Sequence, residues 1–316
     1  MEPEIKQNVK FDTNVGKYMV SSEAFVDFIF NEKCNCNCKF CIANVNNKVQ
    51  EDLDTWKKHT EAMFKVFDIK DIIILGGEST IDSYFFEKVD FIGNVMNKTN
   101  RNIILTTNGI MLRNKDFLDK LCKTVITTVN ISYMNADRDK NISVMRGNVL
   151  SVDELKEIRK TLNNNNMTLR LNSNVFRGNC DNVKEILFYI NTLKDAADAI
   201  KFAPLIKTDS FGTESSVSNF TDEVVMSQEE IDLLFDEVCK CGDDILSNDG
   251  VFGYVKYNEL TINGCKVLLK HSQLSELFDK NKEIANLKMY PNGNLSNLWC
   301  SAKNDNNLNY LLENVI

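Results

Sequence analysis

Two histidines, His59 and His271, serve the whole chain of 316 residues, which speaks against His-rich zinc sites and Ser-His-Asp triads. Three prolines and 13 glycines exclude collagen-like and Pro-rich low-complexity architectures. No apolar run approaches the ~18 residues of a membrane span. The amino terminus, MEPEIKQNVK, lacks the apolar core of a signal peptide. A cytoplasmic location with no membrane partner is therefore expected. Basic residues form no stripe: 37 Lys and Arg stand against 45 Asp and Glu, for a net charge of -8. A long nucleic acid is thus disfavoured as partner, whereas a small nucleotide is not. Cysteine is the residue in excess, with ten in the chain. In a reducing compartment that number points to metal or redox chemistry rather than to disulfides.

Hydrophobic residues make up 43% and charged residues 26%, enough apolar content for a sizeable core. Length allows two domains, or one large α/β domain with an appendage. Short apolar runs read as buried parallel strands at Ala24–Phe30, Asp71–Leu75, Asn102–Thr107, Val125–Ser132, Thr168–Phe176 and Ala199–Ile206. Segments with helical spacing lie between them at Trp56–Phe67, Phe85–Asn97, Asp116–Lys123, Ser151–Leu162 and Asp181–Leu193. Ser151 with Glu154, and Ser227 with Glu230, fit capping boxes. Alternating strands and helices imply an α/β fold with a parallel layer, open or barrel-shaped. After about residue 245 the pattern changes to hairpins, with turns at Asn263-Gly264 and Pro291-Asn292-Gly293 and a short helix near Leu308–Leu312. The expected organisation is an N-terminal extension over 1–23, a central α/β unit over 24–245, and a small C-terminal α+β extension over 246–316.

Residues 31–43 read NEKCNCNCKFCIA, in which Cys34, Cys38 and Cys41 have the spacing C-x3-C-x2-C. Three thiolates in one loop can wrap a metal cluster, and soft thiolates select iron–sulfur clusters or zinc. Closed structural sites normally take four ligands. A triplet without a paired fourth cysteine leaves one iron open to an exchangeable ligand, as activation of a substrate at the cluster requires. The loop follows the first strand at its C-terminal end, where β/α active sites sit. A zinc loop or unpaired thiols are the alternatives. Cys36 is out of register and reads as a loop thiol turned away from the cluster.

With an aromatic residue, Phe40, before the last cysteine, this loop resembles the signature of the radical S-adenosylmethionine (SAM) superfamily, and the likeness extends over roughly residues 24–210. The resemblance implies a partial (βα)6 barrel. It implies a [4Fe-4S] cluster on Cys34, Cys38 and Cys41, with SAM on the fourth iron. One electron, from a donor such as flavodoxin or ferredoxin, then splits SAM into methionine and a 5'-deoxyadenosyl radical that takes hydrogen from an organic substrate. Gly76-Gly77-Glu78 looks like the motif that binds the SAM amino group, although Ser79 follows where Pro is usual; an ordinary glycine turn is the alternative. Thr106-Thr107-Asn108-Gly109 ends the third strand, so Asn108 is a SAM candidate. Ser132 and Arg146 resemble the pair that holds the SAM carboxylate and ribose, a task suited to an Arg fork. On the fifth strand, alternation places Arg170, Asn172 and Asn174 on one face. By resemblance Asn172 reaches SAM, while Arg170 and Asn174 meet SAM or substrate. On the sixth strand, Phe202 and Ala203 are candidates to pass the adenine.

The segment NLKMYPNGNLSNLWC resembles the C-terminal hairpin of SPASM and twitch extensions, which carry a second cluster in peptide- and cofactor-modifying members. Here Cys239, Cys241, Cys265 and Cys300 offer no C-x2-C pair, and a single cluster is expected. The Ser132-to-Arg146 spacing and the Asn-Ser pair of the fifth strand also resemble the viperin-type nucleotide enzymes. Substrates in reach are a small molecule, a nucleotide or a short peptide. A non-catalytic iron–sulfur or zinc protein is the competing class, and it would need neither the Gly-Gly-Glu turn nor the polar fifth strand.

Overall fold

The computed structural model describes residues 10–13, 16–41, 49–67, 69, 71–96, 102–207, 216–252, 255–271, 283–297 and 308–312. A hairpin opens the fold: β1 (Lys10–Thr13) pairs antiparallel with the start of β2 (Gly16–Ile29). The apolar runs then form parallel strands in sequence order. These are β2, β3 (Asp71–Leu75), β4 (Ile103–Thr107), β5 (Thr128–Ser132), β6 (Thr168–Val175) and β7 (Ala199–Pro204). Crossover helices join them: α1 (Leu53–Val66), α2 (Phe85–Val95), α3 (Lys115–Leu121), α4 (Arg138–Met145), α5 (Val152–Asn163) and α6 (Val183–Leu193). Parallel strands need such crossovers, and the helices cover one face of the sheet.

Alternate residues sort the two faces. Ile72 and Ile74, Leu105, Ile131, Leu171 and Phe202 are fully buried and share one core with Trp56 of α1, Val89 of α2, Leu155 of α5 and Ile190 of α6. Their strand neighbours Ile73, Thr106, Arg170, Asn172, Asn174 and Lys201 keep part of their surface open on the other face. The alternation expected for the fifth strand is therefore present. Ser151 and Ser227 both close capping boxes, at the starts of α5 and α8 (Gln228–Cys239). α8 follows α7 (Ser216–Val224).

Strands beyond residue 243 join the same sheet at both edges. β8 (Asp244–Phe252), β9 (Val255–Ile262) and β10 (Cys265–Lys270) form an antiparallel meander, and β10 lies parallel against β7. Asn263 and Gly264 turn the second hairpin with φ of 51° and 75°, a turn with both central residues left-handed. β11 (Glu283–Met289) lies parallel against β2 and pairs with β12 (Leu295–Ser296) across the Pro291-Asn292-Gly293 turn. The strand order is β12-β11-β2-β3-β4-β5-β6-β7-β10-β9-β8, and the sheet stays open. It is nonetheless strongly curved. In a flat sheet the six intervals from β2 to β10 would separate Asp27 from Lys270 by about 29 Å. The two side chains instead interact electrostatically, so the uncovered face is the inside of a partial barrel.

Two elements differ from the sequence reading. β2 begins at Gly16, ahead of the apolar run at Ala24, because backbone pairing with β1 and β11 extends it. α4 lies between the fourth strand and Arg146, a stretch in which the sequence reading names no helix. Its buried residues are Asn141 and Met145, so it has no apolar stripe to announce it. Its one sequence cue is Asp137, whose carboxylate caps the N–H groups of Asp139 and Lys140.

One buried cation ties the site-bearing segments together. Lys88 of α2 is fully buried and its ammonium donates to the Phe30 carbonyl at 2.8 Å, to Asp82 at 2.7 Å and to Glu51. Phe30 precedes the cysteine loop, Glu51 follows it, and Asp82 follows the Gly-Gly-Glu turn. The charge also lies over the rings of Trp56 and Phe30. Replacing Lys88 with Met leaves the buried Asp82 carboxylate without its counterion. That should lower the unfolding free energy by about 3–5 kcal/mol in urea titrations, and an unchanged midpoint would show that the triad contributes nothing.

Candidate functional site

The cysteine loop is held where β2 and β3 end side by side. Phe30 N–H donates to the Leu75 carbonyl at 3.0 Å, Gly77 N–H to Asn31 at 2.8 Å and Glu78 N–H to Lys33 at 2.7 Å. The Asn31 amide returns a bond of 2.8 Å to the Glu78 carbonyl. This approach is open only to glycine. A Cβ on Gly76 would overlap the Asn31 carbonyl, and one on Gly77 the Lys33 carbonyl. Gly76 and Gly77 thus set the position of the chain one residue before Cys34.

Glu78 is buried, and its carboxylate organises the adjacent strand end. Oε1 accepts from the Thr80 hydroxyl at 2.5 Å, the Thr80 N–H at 3.1 Å and the Thr107 hydroxyl at 2.6 Å. Oε2 accepts from the Asn108 N–H at 2.6 Å and keeps a second lone pair. The Asn108 amide turns to the cysteine loop, donating to the Asn35 side chain at 2.7 Å and reaching Cys34 Sγ at 3.9 Å. Glu78, Asn108 and Cys34 are therefore brought together. Thr107, which helps fix the carboxylate, lies in the Thr106–Gly109 stretch read from the sequence, whereas Thr80 has no motif that would single it out.

The second half of the loop rests on the end of α4. Asn37 N–H donates to the Arg146 carbonyl at 3.4 Å and Lys39 N–H to Val144 at 3.1 Å. The Cys38 thiol meets the Met145 sulfur at 3.7 Å. Phe40 lies 6.3 Å from Phe176, centroid to centroid, and packs onto the small cluster of Met134, Met145 and Val149. Cys36 is buried against Gly147, where a Cβ would collide with its sulfur. Its thiol turns inward, toward Cys34, rather than away from it.

Cys34, Cys38 and Cys41 each keep part of their surface open. The hydrogen bond from Cys36 pulls the Cys34 thiol down to about 7, and Cys36 is raised in return. Burial, with Cys41 and Cys34 close by, pushes Cys38 up to about 12. The three thiols are near enough to oppose one another's ionisation, which a cationic cluster would relieve. Among the described residues no three such side chains close on a point suited to a single ion. A four-iron cube with one open corner takes one thiolate at each of the other three, and three partly open thiols on one loop are a donor set of that kind.

Ser132 and Asn172 are register partners on β5 and β6, both on the open face, with Asn174 one step further along. Asn172 Oδ1 is buried without a hydrogen-bond partner. Ala203 shares this face, whereas Phe202 points to the helices and packs edge-on against Tyr189. Arg146 is exposed and ends α4 in a left-handed conformation with φ of 47°. Elsewhere, Cys265 is buried with Arg159, Lys194 and Asp195 as its charged neighbours, Cys239 is half-buried beside Asp236, and Cys241 is exposed. Cys300 lies outside the described residues.

The chain matches the model of the Radical SAM superfamily over residues 28–190. A probable GTP 3',8-cyclase of Pyrobaculum aerophilum is 26% identical over 182 residues, covering 56% of this chain and 57% of that protein. Another, from Methanococcus maripaludis, is 26% identical over 211 residues, 65% of each chain. The chain thus spans 57–65% of the length of these relatives. Among solved structures, Streptococcus suis SuiB bound to S-adenosylmethionine aligns with a TM-score of 0.60 at 13% identity, over 92% of this chain and 64% of that one. The anSMEcpe structure with AdoMet and a peptide aligns with a TM-score of 0.51 at 12% identity, over 69% and 58%. These likenesses concern the fold. The chain belongs to the radical SAM superfamily, a family of enzymes. The family's cofactors are a [4Fe-4S] cluster and SAM.

The backbone contact at Gly77 is directly testable. Gly77→Ala forces Lys33 away and should lower the unfolding free energy by about 1–3 kcal/mol. The same shift moves Cys34, so iron retained after anaerobic reconstitution should fall below that of the parent. Equal iron content in the two proteins would remove the turn from the cluster site.

Proposed function

We propose that the chain is a radical SAM enzyme whose Cys34, Cys38 and Cys41 hold the [4Fe-4S] cluster and whose open sheet face receives an organic substrate. The observation that carries this reading is the seating of the cysteine loop between the Gly-Gly-Glu turn and α4, at the C-terminal edge of the parallel strands, above a polar and partly open face. Bound there, the cluster and SAM supply a 5'-deoxyadenosyl radical by one-electron cleavage. The protein's part is to position and to shield. Glu78 Oε2, with its spare lone pair, suits the SAM ammonium. Arg146, at the rim, suits the carboxylate, with Ser132 beside it. Gly76 and Gly77 let the backbone approach, and Asn108, Asn172 and Asn174 supply amide contacts. A small electron carrier such as flavodoxin or ferredoxin fits the need for a single electron. The strands of residues 246–316 border the open face on both edges, and we assign them the task of keeping solvent from the radical.

Two substrate classes are suggested by likeness: a nucleotide, by the probable GTP 3',8-cyclases, and a peptide, by SuiB with its precursor peptide SuiA. A peptide-modifying enzyme with an auxiliary cluster would need three or four further thiolates together. Among the described residues, Cys239 and Cys265 have no cysteine among their electrostatic neighbours. That favours a single cluster and a nucleotide or other small molecule.

Anaerobic reconstitution should yield close to four iron per chain and 5'-deoxyadenosine from SAM plus dithionite; SAM left intact by the loaded protein would sink the reading. Cys34→Ala, Cys38→Ala and Cys41→Ala should each abolish the brown chromophore and SAM cleavage. Cys36→Ala should keep both, because its sulfur contacts Cys34 and Gly147 without being needed as a ligand. Glu78→Ala should weaken SAM binding more than tenfold, since loss of one partner of a desolvated charge pair costs about 2–5 kcal/mol, and Arg146→Ala, at an exposed position, should weaken it by a smaller factor. Equilibrium binding of labelled SAM checks this, and parental affinity in either variant would take that residue out of the site.

A further inference from the structure

The open face of the sheet carries an excess of positive charge. Strand register lays its side chains in rows. Thr106, Asn130 and Arg170 form one, Ser132, Asn172, Lys201 and Leu268 the next, and Asn174 and Ala203 a third, with Lys270 beyond them on β10. Lys201 lies within electrostatic reach of both Arg170 and Lys270. Asp27 is the acid that Lys270 feels, and it is already engaged by the Asn286 amide and by Lys288 on the neighbouring strand. Among the described residues Lys201 and Lys270 make no ion pair. Arg170 Nε and the Oδ1 atoms of Asn130 and Asn172 are buried with no hydrogen-bond partner. Native interiors rarely leave such groups unpaired unless a ligand or water completes them. Desolvation lowers the affinity of Lys201 and Lys270 for their protons and brings Arg170 down to about 10. An arriving anion would reverse that effect.

We propose that this hollow is an anion site, in which a carboxylate or phosphate of the substrate sits among Arg170, Lys201 and Lys270. The inference rests on the reading of the open face as the substrate chamber, and it names the substrate class as anionic. SAM is a poor source for this charge. Its single carboxylate is outweighed by an ammonium and a sulfonium, so the molecule is a net cation, repelled by the excess positive charge of Arg170, Lys201 and Lys270. With a net charge of -8, the protein also offers anions little attraction outside the hollow. Buried cations in a low-dielectric cleft would concentrate them there.

The test uses the full chain with its cluster, held anaerobically, and two probes, tripolyphosphate and citrate, titrated calorimetrically in the absence of SAM. One probe should bind at one per chain, and which of the two does so separates a phosphate-bearing substrate from a carboxylate-bearing one. The double variant Lys201→Met/Lys270→Met should lose at least about tenfold in affinity for that probe, as expected when charge-assisted bonds are removed, while SAM binds as in the parent. Lys201→Gln alone repeats the comparison in a milder form. Ligand-free Lys201→Met should also melt at a higher temperature, because a repelled cation has been removed. The proposal is overturned if neither probe binds, if the variants bind as tightly as the parent, if SAM affinity falls in step with probe affinity, or if Lys201→Met lowers the melting temperature. The isotherms require no turnover, so failure to form 5'-deoxyadenosine would fault the radical reading alone.

Discussion

Gly76 and Gly77 press their backbone against Asn31–Lys33 so closely that no side chain fits between, and the candidate site is assembled around that contact. Two parallel strands that end together would normally diverge into separate loops. Here the loop after β2 is hydrogen-bonded to the turn after β3 through Gly77 and Glu78 N–H groups. The turn in turn delivers the Glu78 carboxylate to the end of β4, where Thr107 and Asn108 bind it. Three strand ends are thereby locked in one frame, with Cys34 at its centre. Lys88 reinforces the frame from the helical side by holding the residues before and after the loop. Precision at a cluster site depends on such support, because a flexible loop cannot by itself keep three thiolates converging.

The two faces of the sheet do opposite work. The helix-covered face is continuous apolar core, the arrangement that makes a parallel sheet stable. The other face leaves polar atoms of Asn130, Arg170 and Asn172 unpaired in the interior. Groups of that kind lower stability unless something completes them, and such sacrifices concentrate at functional sites. The curvature of the sheet turns this face into a chamber, bringing β10 within electrostatic reach of β2.

The edges of the central sheet are not left bare. Exposed strand edges invite pairing with other chains. β10 covers the edge at β7 and β11 the edge at β2, so the last part of the chain completes the same sheet at both sides. Lys270 and Lys288 enter the chamber with these added strands, which makes the tail a contributor to its charge as well as a border.

Much of this was legible in the chain. The six apolar runs, the crossover helices, both capping boxes and the Asn263-Gly264 turn follow from local periodicity and turn chemistry, which act over a few residues. The cysteine spacing and the Gly-Gly-Glu tripeptide mark the candidate site, because the ligation proposed for it and the close backbone approach each restrict the residue types allowed. Other features were decided only in three dimensions. α4 carries no apolar stripe, and it is stabilised by the cap at Asp137 and by what it touches. Cys36 reads as an outward loop thiol, and its inward turn depends on Gly147, far along the chain. Lys88, Lys201 and Lys270 look like ordinary lysines in sequence, since burial is a property of neighbours contributed by distant segments. That β10 and β11 lie at opposite edges of one sheet, and that the sheet curls enough for its two sides to interact, is likewise long-range, because strand pairing is chosen by the whole chain and not by the residues of any one strand.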